Sequence, residues 1–155
     1  MKILTVLFCL CVPLMGADKK PLTKEESAKA IEAAIRKKIR KPRGELTKSD
    51  LEKVTTQLSL SYKQLTDVKG LENLTQLDSL VLYNNQLTDV TALEKLTQLK
   101  DLSLSNNILT DVRGLEKLPK LLLLHLYNNP DLTKAQIAEL QKALPKCKIS
   151  SNPTK

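Results

Sequence analysis

Few residues in this 155-residue chain are of a kind that does chemistry, and their spacing limits what chemistry that is. His125 is the only histidine, which excludes any metal centre built on two imidazoles. The tyrosines number three, Tyr62, Tyr83 and Tyr127. Asp67, Asp89 and Asp111 each sit in a Thr-Asp-Val triplet, and a stacked column of acids could bind Ca²⁺, which takes several oxygen ligands. An Asp just before a turn commonly accepts backbone N–H bonds instead, and capping is the role expected of these three. Arg36, Lys37, Lys38, Arg40, Lys41 and Arg43 crowd one short run, RKKIRKPR. Such a run suits an anionic lipid or cell-wall polymer, or else the C-terminal end of a solvated helix, where cations are favoured. It has no interleaved aromatics, so base stacking is unsupported and no nucleic acid is expected. Asn73-Leu74-Thr75 is a glycosylation sequon.

These residues are positioned by a period of 22 residues. Leu65, Leu87 and Leu109 open three successive copies, LTDVKGLENLTQLDSLVLYNNQ, LTDVTALEKLTQLKDLSLSNNI and LTDVRGLEKLPKLLLLHLYNNP. Apolar residues recur at matching offsets, and each copy carries an Asn at one position: Asn85, Asn107, Asn129. A repeat of this length and spacing describes a solenoid whose units bury their apolar face only by stacking. The Leu-x-Leu segments Leu58–Leu60, Leu80–Leu82, Leu102–Leu104 and Leu124–Leu126 are expected as short parallel strands, with the Leu pairs inward. The Asn column is expected to bond backbone groups that no ladder serves.

Outside the clear copies the same offsets continue. Backward, they give a weak first coil with Lys63 at the Asn position. Forward, after one inserted residue, they place Cys147 and Ile149 at inward strand positions and Asn152 at the Asn position. Thr23 with Glu26, and Thr133 with Gln136, are capping boxes that open helices. The first helix carries Ala28, Ile31, Ile35 and Ile39 on one face, stops before Pro42, and is suited to cover the open first coil. Thr47 with Asp50 starts a short helical turn. The second long helix presents Ala135, Ile137, Leu140 and Leu144.

Residues 1–17 have the layout of a secretory signal peptide: Lys2, an apolar run from Ile3 to Met15, then Gly16 and Ala17. Cleavage is expected after Ala17. The organisation expected is a signal peptide over 1–17, a cationic helical cap over 18–50, repeats over 51–132, and a capping helix, last strand and tail over 133–155. Cys9 and Cys11 would leave with the signal, so Cys147 stands alone and no intramolecular disulfide forms. It is expected to be a buried small apolar residue. Residues 18–50 hold most of the remaining positive charge.

From Leu51 to Asn152 the chain resembles the leucine-rich repeat family, in the 22-residue class found in internalin-like bacterial proteins, and more narrowly small exported bacterial proteins of undefined role. The resemblance implies an α/β fold: a short curved solenoid with a parallel sheet of about five strands and a helix at each end. It also implies binding of proteins or peptides on the concave face.

The outward positions on that face form three columns. The central one is Ser59, Val81, Ser103, His125 and Lys148. One flank is Ser61, Tyr83, Ser105, Tyr127 and Ser150, and the other is Gln57, Ser79, Asp101, Leu123 and Lys146. Tyr62 lies at the rim. All three tyrosines and the histidine thus fall on one face or its edge, and aromatic residues concentrate where partners bind. The candidate contact residues are Tyr62, Val81, Tyr83, Asp101, Leu123, His125 and Tyr127. Asp101, the nearest outward acid to His125, is one strand over in another column, and no nucleophile accompanies it, so no enzymatic activity and no cofactor are expected. Five strands about 4.8 Å apart span roughly 20 Å, and strands about 10–13 Å long give a flat area on the order of 200–300 Å². That is small beside the roughly 800 Å² a standard interface takes from each partner. The expected function is that of an exported monomeric module binding a protein or peptide. The alternatives are an anionic-surface binder acting through residues 36–43 and a structural scaffold without a specific ligand.

Overall fold

The computed structural model describes residues 20–152. The expected signal peptide lies outside the described residues. Helix α1 spans Lys24–Ile39, and its start is the expected capping box: the Glu26 N–H donates to Thr23 Oγ1 and the Thr23 N–H donates to Glu26 Oε2, 2.7 Å. It ends at Arg40, which turns left-handed at φ 56° while the Lys41 N–H reaches back to the Arg36 carbonyl. Ile31 and Ile35 are buried against the first coil. Ser27, on the same helix, is buried as well, and its hydroxyl accepts the Thr66 N–H at 3.1 Å. The Thr66 hydroxyl in turn donates to the Leu22 carbonyl. So α1 covers the open end with apolar side chains and also satisfies backbone groups that a preceding coil would otherwise serve.

A short helix α2, Lys48–Leu51, opens on the Thr47–Asp50 box. Five strands follow: β1 Leu58–Ser59, β2 Ser79–Val81, β3 Asp101–Ser103, β4 Leu123–His125 and β5 Lys148–Ser150. They form one parallel sheet in chain order. Three of them start one residue before the Leu-x-Leu segment. Single turns of 3-10 helix at Leu71–Asn73, Thr91–Lys95 and Leu115–Lys117 make the convex side, and helix α3, Lys134–Ala143, takes their place in the last coil. The Leu, Val and Ile side chains at the repeat offsets fill one continuous core from Ile31 to Leu144. Truncating one of them, such as Leu102→Ala, should cost about 2–5 kcal/mol.

The Asn column behaves as expected. The side chain of Asn85 accepts the Lys63 and Leu65 N–H groups and donates to the carbonyls of Leu60 and Leu82. In the next two coils Asn107 and Asn129 each accept one N–H, of Leu87 and Leu109, and donate to the Leu82 and Leu104 and the Leu104 and Leu126 carbonyls. The aspartate column caps turns: Asp67 accepts the Lys69 N–H, Asp89 the Thr91 N–H, and Asp111 the Val112 and Arg113 N–H groups.

The fifth coil departs from the expected register. Leu58, Leu80, Leu102 and Leu124 stand opposite one another, but the partner of Leu124 is Ile149, two residues beyond the position that the offsets give. An α-helix advances about 1.5 Å per residue where a 3-10 turn advances about 2.0 Å, so crossing the convex side on α3 consumes more chain. A slip of two keeps the alternation of faces, so Cys147 stays buried and Ile149 half-buried. It changes the columns. Lys148 stands beside Leu123 in the flank and Ser150 beside His125 in the centre. Asn152 does not join the buried Asn column. It is exposed, and its amide donates to Asn128 Oδ1 at the rim, 3.1 Å. Ala135, expected on the buried face of α3, is exposed.

Candidate functional site

Of the residues expected on the concave face, Val81, Asp101, Leu123 and His125 sit on strands with their side chains outward and half-buried or exposed. Leu123 pairs with Asp101 across β3–β4, and His125 with Ser103. Tyr83 and Tyr127 lie two residues past the strand ends, half-buried and 45% exposed respectively. Leu123 is 40% exposed and its neighbour Leu122 50%. Exposed or half-buried apolar side chains therefore occupy two coils of this face, Val81 and Tyr83 in the second and Leu123 and Tyr127 in the fourth, with Asp101 and Ser103 of β3 between them. Ser105, placed by its column among the outward residues, is buried: its hydroxyl accepts the Tyr127 N–H at 3.2 Å and helps fix the turn below that ring. His125 makes no side-chain hydrogen bond among the described residues, and the Asp101 carboxylate belongs to a different column. The arrangement offers surface for contact and no relay for proton transfer.

The rim has an order that the offsets alone do not show. Tyr62, Asn84, Asn106 and Asn128 all take left-handed backbone, with φ of 58°, 56°, 57° and 54°. Asn tolerates that region better than most side chains, which accounts for the Asn-Asn pairs. A chain of side-chain bonds links the coils there. The Asn106 amide donates to the Tyr83 phenol oxygen at 3.1 Å, and the Asn128 amide to Asn106 Oδ1 at 2.8 Å. The Asn128 backbone N–H continues it by donating to Asn152 Oδ1 at 2.7 Å. In the first coil the ring of Tyr62 packs on Tyr83 in place of an amide. Tyr83 thus belongs both to the candidate contact surface and to this edge.

The cationic run does not act as a unit. Arg36 is held by Glu32 at 2.7 Å. Lys41 is drawn into Asp50 at 2.6 Å and also donates to the Glu45 carbonyl. Asp50 is 8% exposed, and the Lys41 ammonium, the Thr47 hydroxyl and N–H, and the Lys53 ammonium hold its carboxyl well below the usual carboxylate range. This knot ties the end of α1 to α2. Lys37, Lys38, Arg40 and Arg43 remain, and their side chains make no hydrogen bond or ion pair among the described residues.

A feature absent from the repeat pattern lies on the far side of the cap. A groove of about 620 Å³ separates one face of α1 from the loop before α2 and the convex turn at Gly70–Asn73. Its residues come from three separate segments and follow no common period.

A parallel sheet of sequential strands, convex single turns and a buried Asn column define a leucine-rich repeat solenoid. Residues 56–95 match the model described as Leucine Rich repeats (2 copies). Among solved structures, internalin C2 from Listeria monocytogenes str. 4b F2365 aligns with a TM-score of 0.68 at 24% identity, over 88% of this chain and 64% of that one. The functional domain of InlJ from Listeria monocytogenes, which includes a cysteine ladder, aligns at 0.61 and 26% identity, over 83% of this chain and 26% of its own. A leucine-rich repeat protein from Leptospira interrogans aligns at 0.57 and 29% identity, over 68% and 28%. The chain therefore spans less than two thirds of each of these proteins. No curated protein is a match by sequence. The fold is that of the internalin-type leucine-rich repeat proteins. No helix among the described residues is long and apolar enough to cross a membrane.

Proposed function

We propose that the chain is an exported, non-enzymatic module that binds a protein or peptide through its concave face. The observation that carries this is the exposed apolar surface of the fourth coil, where Leu123 on β4 and Tyr127 just past its end stand 40% and 45% exposed on either side of His125. Apolar and aromatic side chains held on strands lose little conformational entropy on binding and suit the centre of an interface. The strip is small, so the partner is an extended segment or a larger protein that also meets the rim. Crosslinked capture from the compartment of origin identifies that partner. Its affinity is then compared with that for a Leu123→Ser, Tyr127→Ala variant, neither of whose side chains holds the fold. A loss of about tenfold or more is expected, and unchanged affinity in the folded variant overturns the proposal.

A second role rests on a different observation. Lys37, Lys38, Arg40 and Arg43 leave unpaired charge at one end of α1, beside a shallow hollow lined by Ala33 and Pro42. This favours contact with an anionic surface. Binding to anionic vesicles should then fall steeply between low and high salt, and a flat response excludes it.

A further inference from the structure

We propose a second binding site, separate from the concave face: the groove beside α1 takes a short extended peptide that carries lysine or arginine next to an apolar side chain. Its floor is apolar, built from Ala28, Ile31 and Ile35 of α1 facing Leu46 and Leu51. Its volume, about 620 Å³, lies within the range typical of ligand sites, roughly 300–1,000 Å³. The shape selects the occupant. The wall of α1 runs from Lys24 to Arg36, which is about 18 Å at 1.5 Å per residue. That is the length of about five residues of extended chain at roughly 3.3 Å each. A compact small molecule would fill only part of it.

The charge selects the sign of the partner. Five carboxylates line the groove against three cations, in a protein whose formal net charge is +8. Several of these charges are committed. Glu32 holds Arg36, Asp67 takes the Lys69 N–H and faces Lys24 at 3.9 Å, and Glu72 accepts the Gly70 N–H. Glu25 on α1 and Glu45 in the loop before α2 both line the groove and make no side-chain hydrogen bond or ion pair among the described residues. They are the acceptors for a cationic partner. Because the chain as a whole is basic, a basic peptide is repelled at long range, so its binding would report a local site and not general attraction.

The test uses the full chain and a labelled pentapeptide, Lys-Leu-Arg-Leu-Lys, acetylated and amidated, with Glu-Leu-Glu-Leu-Glu as its counterpart. Saturable binding of the basic peptide below about 1 mM is expected, with none of the acidic one. Ala28→Phe, which fills the floor from a half-buried helix position, should weaken binding at least tenfold. Glu25→Gln with Glu45→Gln should weaken it about fivefold, in line with two exposed ion pairs, and serves alone if the Phe variant does not fold. The Leu123→Ser, Tyr127→Ala variant should bind the peptide as the parent does. No saturable binding, equal binding of both peptides, or loss confined to the concave-face variant overturns the site, and each of these results leaves the concave-face proposal to its own test.

Discussion

Tyr62 packs edge-on against Tyr83, with ring centroids 5.3 Å apart and ring planes inclined at 67°. The contact joins the first coil to the amide chain of the rim, since Tyr83 also accepts from Asn106. Tyr62 reaches this position with φ 58°, where the later coils use Asn. A bulky residue there costs about 1–2 kcal/mol, while an edge-to-face pair returns about 0.5–1.5 kcal/mol.

The two terms separate in a pair of substitutions. Tyr62→Asn and Tyr62→Val both remove the ring, but Asn accepts left-handed backbone and a β-branched side chain resists it. The Asn variant should be more stable than the Val variant by about 1 kcal/mol, read from urea midpoints. Equal midpoints would show that the turn relaxes freely and that no strain is held at Tyr62.

Asn107 and Asn152 occupy similar places by sequence and unlike places in the fold. The Asn107 side chain is buried and serves the Leu87 N–H and the Leu82 and Leu104 carbonyls. Asn107→Ala orphans these groups and should cost about 2–4 kcal/mol. Asn152→Ala removes only exposed bonds to Asn128 and should cost less than about 0.5 kcal/mol. Similar losses in thermal or urea unfolding would restore Asn152 to the buried column.

What the sequence shows and what it hides follow from the same geometry. A 22-residue offset carries the register faithfully from Leu58 to Leu124 because each coil crosses its convex side by the same short turn. The offset fails at Ile149 because α3 has a smaller rise per residue, and only a count of helical residues would have revealed it. Burial survives the error because face depends on parity, which is why Cys147 is legible and Asn152 is not. The cationic run shows the other limit. Arg36 and Lys41 look identical in kind to Lys37 and Arg43, yet Arg36 pairs with Glu32 one helical turn back and the loop before α2 brings Lys41 to Asp50. The groove beside α1 is hidden for a related reason: its walls come from segments with no shared period.

Asp50 gives the fold a measurable acid limit. Its carboxyl is held below the ordinary value by Lys41 first, then by Thr47 and Lys53. In the unfolded chain it titrates near about 3.9, so the unfolded state takes up a proton first as pH falls. The stabilisation is therefore complete above about pH 5 and is lost progressively below about pH 4. Wild type should lose more stability between pH 7 and pH 3 than Asp50→Asn does, because the variant has no such group to protonate. Parallel pH profiles of the two urea midpoints would refute the role of this knot.

Cys147 tests the last coil directly. The side chain, immediately before β5, is 4% exposed, and burial pushes its thiol up from the ordinary value. Both effects oppose attack, since the reactive form is an accessible thiolate. Alkylation of the folded protein should run at least about 100-fold slower than in urea, and its rate should follow the opening of the last coil. Cys147→Ser places a hydroxyl in the same apolar site and should destabilise by roughly 1–3 kcal/mol, whereas Cys147→Ala should cost less. Asn152→Ala, which removes both side-chain bonds to Asn128, should raise the alkylation rate without changing global stability by more than about 0.5 kcal/mol. A native thiol that reacts as fast as an unfolded one would mean that the fifth coil does not close on the fourth, and the sheet would then end at β4.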